Sequence, residues 1–161
     1  GATTIGTVGS DEKAELARKY GYDHVINYRT TDFVAAVAEI TKGRKCDVVY
    51  DSVGVDTFSG SLDCLKPRGL LALFGQSSGP VPAFNLALLA QKGSLYITRP
   101  TLFTYIAQRM DLEGAAEALF SAVASGVVDV QINQRFALSD AAKAHAALEG
   151  RATTGTTVLL P

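Results

Sequence analysis

Cysteine is scarce: Cys46 and Cys64 are the only two in 161 residues. They have neither Cys-x-x-Cys spacing nor a nearby histidine, which excludes a zinc site or a disulfide framework assembled from them and points to a reducing, cytoplasmic setting. Neither sign of charge is in excess, because fifteen Lys and Arg oppose sixteen Asp and Glu; the basic footprint of a dedicated nucleic-acid binder is missing. No apolar run reaches the roughly 18 residues of a membrane span, and no charged-then-apolar leader opens the chain, so a soluble protein is expected. The two histidines, His24 and His145, have no spaced Ser, Cys or acid partners, and neither a catalytic histidine nor a metal site is expected. Methionine occurs once, at Met110, and residue 1 is Gly. The chain therefore reads as a piece of a longer polypeptide unless a leader or tag was removed.

Apolar residues make up 47% of the chain, enough for a core of one ordinary domain. Residues 3–8 are β-branched and bounded by Gly, and SDEKAELARKYG then supplies a cap, a helical period and a terminating Gly21. Residues 24–28 read as a second strand. Phe33, Val37 and Ile40 lie at helical spacing before Gly43. A third strand spans 47–53, with so little alternation that burial on both faces is expected. A helix through Thr57, Leu62 and Leu65 should close at Pro67 and Gly69, with strands following at 69–75 and 94–100. Strands alternating with such helices predict an α/β fold with a doubly wound parallel sheet. From Thr101 to Gly126 the pattern is helical, with Leu119, Phe120 and Val123 in an apolar stripe. Residues 127–161 read as strand, capped helix from Ser139 to Glu149, and a last strand at 156–160, and break the earlier rhythm.

Ligands of such sheets bind at the carboxyl ends of the strands. After the first strand the acid that would accept from a ribose 2′-hydroxyl is replaced by Gly9 and Ser10. Ser10 is a natural helix N-cap. Lys13 puts a cation in the first turn, where the helix dipole disfavours it by roughly 0.3–1 kcal/mol. Two accounts of Lys13 stand side by side: a phosphate docked at this helix end, which selects NADPH over NADH, or a surface lysine neutralised by Asp11 and Glu12. Tyr28 closes the next strand and either joins that phosphate, covers an adenine, or is an ordinary strand-end tyrosine. DSVG at 51–54 and FGQSSG at 74–79 place glycines and hydroxyls in the loops after the third and fourth strands, as a cofactor cradle or as simple turns. The Gly-x-Gly-x-x-Gly turn that holds a pyrophosphate is nowhere in the sequence, so the sheet is expected to lack its first βα unit.

Taken in order, GATTIGTVGSDEKAELARKYGYDHVINY, VVYDSVG, SLDCLKPRGLLALFGQSSGP, QKGSLYITRPTL and RATTGTTVLLP resemble the C-terminal half of the zinc-free NADPH:quinone oxidoreductases. These form the zeta-crystallin-like branch of the medium-chain dehydrogenase/reductase superfamily. The resemblance implies that Gly9, Ser10, Lys13 and Tyr28 meet the 2′-phosphate. It implies that Ser52, Phe74, Gly75 and Ser77 line the nicotinamide and its ribose, and that Arg151 contacts the cofactor. It also implies that Arg99 faces the quinone pocket as the catalytic residue; a structural pair with an acid is its rival role. The family's enzymes are roughly twice this length, with an N-terminal GroES-like catalytic domain. The division that follows is a truncated dinucleotide-binding domain over 1–126 and a segment over 127–161 that packs toward the catalytic lobe. The implied partners are a quinone substrate and a second copy paired through strand 94–99. These residues alone should neither turn over quinone nor hold NADPH tightly. A dimerisation or nucleotide-binding module without catalysis is the alternative. A Rossmann-like S-adenosylmethionine methyltransferase is a third possibility, against which Gly9 counts.

Overall fold

The computed structural model describes residues 1–150 and 152–161. It divides into two compact units, Gly1–Thr101 and Leu102–Pro161. In the first unit, strand β1 (Ile5–Val8) leads into helix α1 (Asp11–Lys19), strand β2 (His24–Asn27) and helix α2 (Phe33–Ile40). Strand β3 (Cys46–Asp51), helix α3 (Phe58–Asp63), strand β4 (Leu65–Leu73), helix α4 (Ala87–Gln91) and strand β5 (Tyr96–Thr98) follow. The helix starts obey local chemistry. Ser10 caps α1, its Oγ accepting from the Lys13 N–H at 3.3 Å, and Asp32 caps α2 by accepting from Val34 and Ala35. Gly21 and Gly43 follow α1 and α2 with φ +88 and +80, the left-handed exit that an ordinary side chain resists.

All strand pairs are parallel: β1 with β2, β3 with β4, β4 with β5. They form two sheets, β1–β2 and β3–β4–β5, with one apolar cluster common to both. Ile26, Val37 and Cys64 are its buried centre, joined by Ile5 of β1, Phe33 and Ile40 of α2, and Cys46 and Val49 of β3. A second cluster under β4 gathers Phe58, Leu62, Leu65, Leu71, Leu73 and Leu95.

Two expectations need correction here. Among the described residues Val49 of β3 packs inward while Val48 is 40% and Tyr50 76% exposed, so within these 161 residues the strand is not buried on both faces. The helix after β3 ends at Asp63, and Leu65 already pairs with Cys46 in the sheet. Residues 66–69 then bulge out, with Arg68 at φ +61, and pairing resumes at Val48 and Leu70. Pro67 sits in that bulge, where a missing N–H costs no ladder bond.

In the second unit, α5 (Leu102–Tyr105) and α6 (Arg109–Ala124) precede β6 (Ile132–Ala137), a 3-10 turn at Leu138–Asp140, α7 (Ala141–Glu149) and β7 (Thr156–Leu160). β6 and β7 pair in parallel across α7, so the tail does not break the rhythm but resumes it as a βαβ unit. Ser139 lies within the 3-10 turn rather than capping the helix. The stripe on α6 is exposed, Leu119 at 54% and Phe120 at 69%. Among the described residues no helix is long and apolar enough to cross a membrane.

Candidate functional site

Because the strands in each sheet run parallel, their carboxyl ends share an edge, and the described candidate residues all follow such an end. Gly9, Ser10 and Lys13 follow β1, and Tyr28 follows β2. Ser52 follows β3, Phe74, Gly75 and Ser77 follow β4, and Arg99 follows β5. They fall into two groups, one on each sheet of the first unit. Arg151 lies outside the described residues.

The first group is built around Gly9. The Tyr28 N–H donates to the Val8 carbonyl at 3.1 Å, which brings the phenol across β1. A methyl carbon placed on Gly9 would stand 2.8 Å from the Tyr28 hydroxyl and 3.6 Å from Arg29 Nε. Any side chain at position 9 would therefore fill the corner that the phenol and the guanidinium border. Lys13 lies in the first turn of α1 and is partly buried. Two acids temper this positive corner. Asp11 is turned toward β2, where its Oδ1 accepts from Asn27 Nδ2 at 2.8 Å. The Glu12 carboxyl is held below the usual range by its own backbone N–H and then by the Ser10 hydroxyl. The helix N-terminus thus holds an exposed carboxylate, which an incoming phosphate would have to displace.

The second group is two loops fastened together. The Asp51 carbonyl accepts from the Phe74 N–H at 2.9 Å and the Gly75 N–H at 3.3 Å. The Ser52 carbonyl accepts from Ser77 at 3.2 Å, and the Val53 carbonyl from Ser78 at 2.7 Å. A Cβ on Gly75 would lie 2.4 Å from the Ser52 carbonyl oxygen, so only glycine lets the backbones meet this closely. Phe74 is left 53% exposed at the strand end, with Ser52 and Ser77 also exposed. Arg99 Nη1 donates to the Leu73 carbonyl at 3.1 Å, which ties the guanidinium to the end of β4 beside this loop. Among the described residues the hydrogen-bond partner of this side chain is that carbonyl.

Two further residues belong to these groups. Arg29 borders the Gly9 corner, and its signal was adjacency to Tyr28 at a strand end. Asp51 is buried at 4% exposure, and its signal was an Asp three residues before a glycine, the pattern of a side chain that folds back on its own loop. Cys64 is buried, which pushes its thiol up to about 12 and makes it a poor nucleophile or metal ligand. Among the described residues no group of three or more His, Cys, Asp or Glu is placed to hold a metal ion.

Known proteins are similar to this chain in sequence and fold. Residues 1–121 match the family of zinc-binding dehydrogenases. A quinone oxidoreductase of Pseudomonas aeruginosa is 53% identical over all of this chain and 50% of its own length. A 2-haloacrylate reductase of a Burkholderia species is 49% identical over all of this chain and 49% of its own. The crystal structure of the Escherichia coli quinone oxidoreductase complexed with NADPH superposes with a TM-score of 0.95 at 53% identity, covering all of this chain and 50% of that one. The chain spans about half the length of these relatives, and its parallel α/β fold is the Rossmann-like one of their C-terminal half. It belongs to the zinc-binding dehydrogenase family of the medium-chain dehydrogenases and reductases.

Proposed function

We propose that this chain is the cofactor-binding part of an NADPH-dependent, zinc-free reductase of quinones. The observation that carries this is the placement of the candidate residues at the carboxyl ends of parallel strands. A cation-bordered, side-chain-free corner at Gly9 serves the adenosine end, and a fastened loop pair with exposed Phe74 serves the nicotinamide end. The donor set fits the cofactor: Lys13, Arg29, the Tyr28 hydroxyl and the α1 amides present positive charge and N–H or O–H donors to a phosphate. Ser52, Phe74, Gly75 and Ser77 would border the nicotinamide and its ribose, and Arg151 would add a contact. When bound, NADPH supplies the reducing equivalents, and the protein supplies position and electrostatics. Arg99, held at the end of β4, would stabilise negative charge on the reduced oxygen. The segment 127–161 would belong with a catalytic lobe, and the free cysteines suit a cytoplasmic setting.

The 2-haloacrylate reductase among the relatives favours a second substrate class, an alkene conjugated to a carboxyl or carbonyl group. The two differ in where charge develops, but each presents an oxygen that Arg99 could face.

Titration of the 161-residue chain with NADPH, followed by amide NMR shifts, should move Gly9, Ser10, Tyr28, Ser52 and residues 74–77 at millimolar ligand, with no steady-state quinone turnover. The weakness follows from the absent pyrophosphate turn. Shifts elsewhere only, or normal turnover by these residues alone, would overturn the proposal.

We also propose that a second copy pairs along strand 94–99. Among the described residues β5 is hydrogen-bonded to β4 alone, and Tyr96 is 62% exposed, which is an edge of the kind that pairs with a twin. Light scattering should give twice the chain mass, reduced to one by Ile97→Pro. A single-chain mass for the unaltered protein would rule the pairing out.

A further inference from the structure

A buried carboxyl group must recover the hydrogen bonds it gave up in leaving water, so its partners reveal what it is for. Asp51 is the one charged side chain buried among the described residues. Its Oδ1 accepts from the Val53 N–H at 2.8 Å, the Gly54 N–H at 3.2 Å and the Thr57 hydroxyl at 2.9 Å. Its Oδ2 accepts from the Ser61 hydroxyl at 2.7 Å and shares the single hydrogen of the Thr57 hydroxyl, 2.8 Å away, with Oδ1. All of these partners are donors, which an acceptor-only group satisfies and an amide does not. The side chain therefore folds residues 53–57 back over the end of β3, while the main-chain carbonyl of the same residue grips Phe74 and Gly75 of the other loop.

The opposite side of this clasp is Ser78. Its hydroxyl donates to the Val53 carbonyl at 2.8 Å and accepts from the Asp56 N–H at 3.1 Å, and Gly54 bridges Gly79 beside it. The clasp is buried or partly buried, yet it turns Ser52, Phe74 and Ser77 outward to solvent. Those outward residues are the ones proposed above to line the nicotinamide.

We propose that Asp51 is a positioning residue: its carboxylate holds residues 53–57 in the shape that presents the Ser52 and Val53 carbonyls to Ser77 and Ser78 of the loop after β4, which pre-forms the nicotinamide half of the site and so sets affinity for that half alone. This rests on the NADPH reading of the site. Asp51 touches no ligand in this account and acts through Ser52, Phe74, Gly75 and Ser77.

The experiment compares Asp51→Asn and Ser78→Ala with the unaltered chain, each checked for folding. Each is titrated with NADPH and with adenosine 2′,5′-bisphosphate, which lacks the nicotinamide. Each variant should weaken NADPH about tenfold, the loss of one charge-assisted or buried hydrogen bond, and leave the bisphosphate affinity unchanged. Ser78→Ala keeps the test open if Asp51→Asn does not fold. A folded Asp51→Asn that binds NADPH like the unaltered chain overturns the proposal, as does equal weakening of both ligands, which marks general loosening. If the unaltered chain binds NADPH no better than the bisphosphate, the loops contribute nothing and the clasp proposal fails while the phosphate corner stands. Binding of neither ligand overturns the NADPH reading and this inference together.

Discussion

Lys13→Ala should lower the affinity of this chain for NADPH about tenfold while leaving NADH unchanged, and adding Arg29→Ala should bring the lost preference to about a hundredfold. Hydrogen bonds to a charged group contribute about 1.5–3 kcal/mol when desolvated. Lys13 is only partly buried and Arg29 is exposed, so the lower end applies, discounted for solvent screening. Glu12 supplies the opposite sign. Its carboxyl is held below the usual range by its own N–H, so it is ionised wherever a phosphate monoester carries nearly two charges. Glu12→Gln removes that repulsion and should raise the preference for NADPH. Parallel titrations with the two nucleotides read all three variants. An unchanged preference in Lys13→Ala would remove the phosphate assignment, and a lowered preference in Glu12→Gln would show that this carboxylate is not the phosphate's competitor.

Gly54→Ala should destabilise the first unit by about 3 kcal/mol or more, from two independent terms. Gly54 has φ +99, a conformation that costs an ordinary residue roughly 1–2 kcal/mol. Its added Cβ would also lie 2.4 Å from the Gly79 carbonyl oxygen and 3.0 Å from the Gln76 Cα. Both are backbone atoms, so relief requires the second loop to move and to give up the Val55 N–H bond to Gly79 at 3.2 Å. At a few degrees per kcal/mol, thermal unfolding should fall by about 10 °C. Gly114→Ala is the matched control. Gly114 lies inside α6 with nothing within 4 Å of its Cβ position, so there the change should stabilise by about 0.5–1 kcal/mol. Calorimetry on both variants checks the pair. A Gly54→Ala transition within 2 °C of the unaltered chain, an order-of-magnitude bound on that scale, would show that the two loops are not held as described.

The elements most legible in the chain were those governed by local rules. The cap at Ser10, the exits at Gly21 and Gly43, and the strands at β1, β2 and β5 needed only period, cap chemistry and glycine. The misread elements were set by distant partners. Leu65 sits at helical spacing from Leu62, yet Cys46, nineteen positions earlier, draws it into the sheet. The run Val48-Val49-Tyr50 looks like a strand covered on both faces, because apolarity records what a residue tolerates and not which layer lies over it. The tail carries short, half-polar strands, and their parallel pairing across α7 is a fact about two segments some twenty residues apart, invisible to a local period.

The site divides along the same line. From its residues alone, the chain determined an alternating α/β order, the loops at the strand ends, the missing pyrophosphate turn and the glycine in place of an acid after the first strand, since each follows from residue type and short-range spacing. Only the tertiary structure decided that Tyr28 and Arg29 border Gly9, that Arg99 holds a carbonyl of β4, and that Asp51 is buried with hydroxyls from α3 and the neighbouring loop fastened around it. Such contacts depend on parallel register between strands joined by whole helices, and register is settled by the packing of both ends at once.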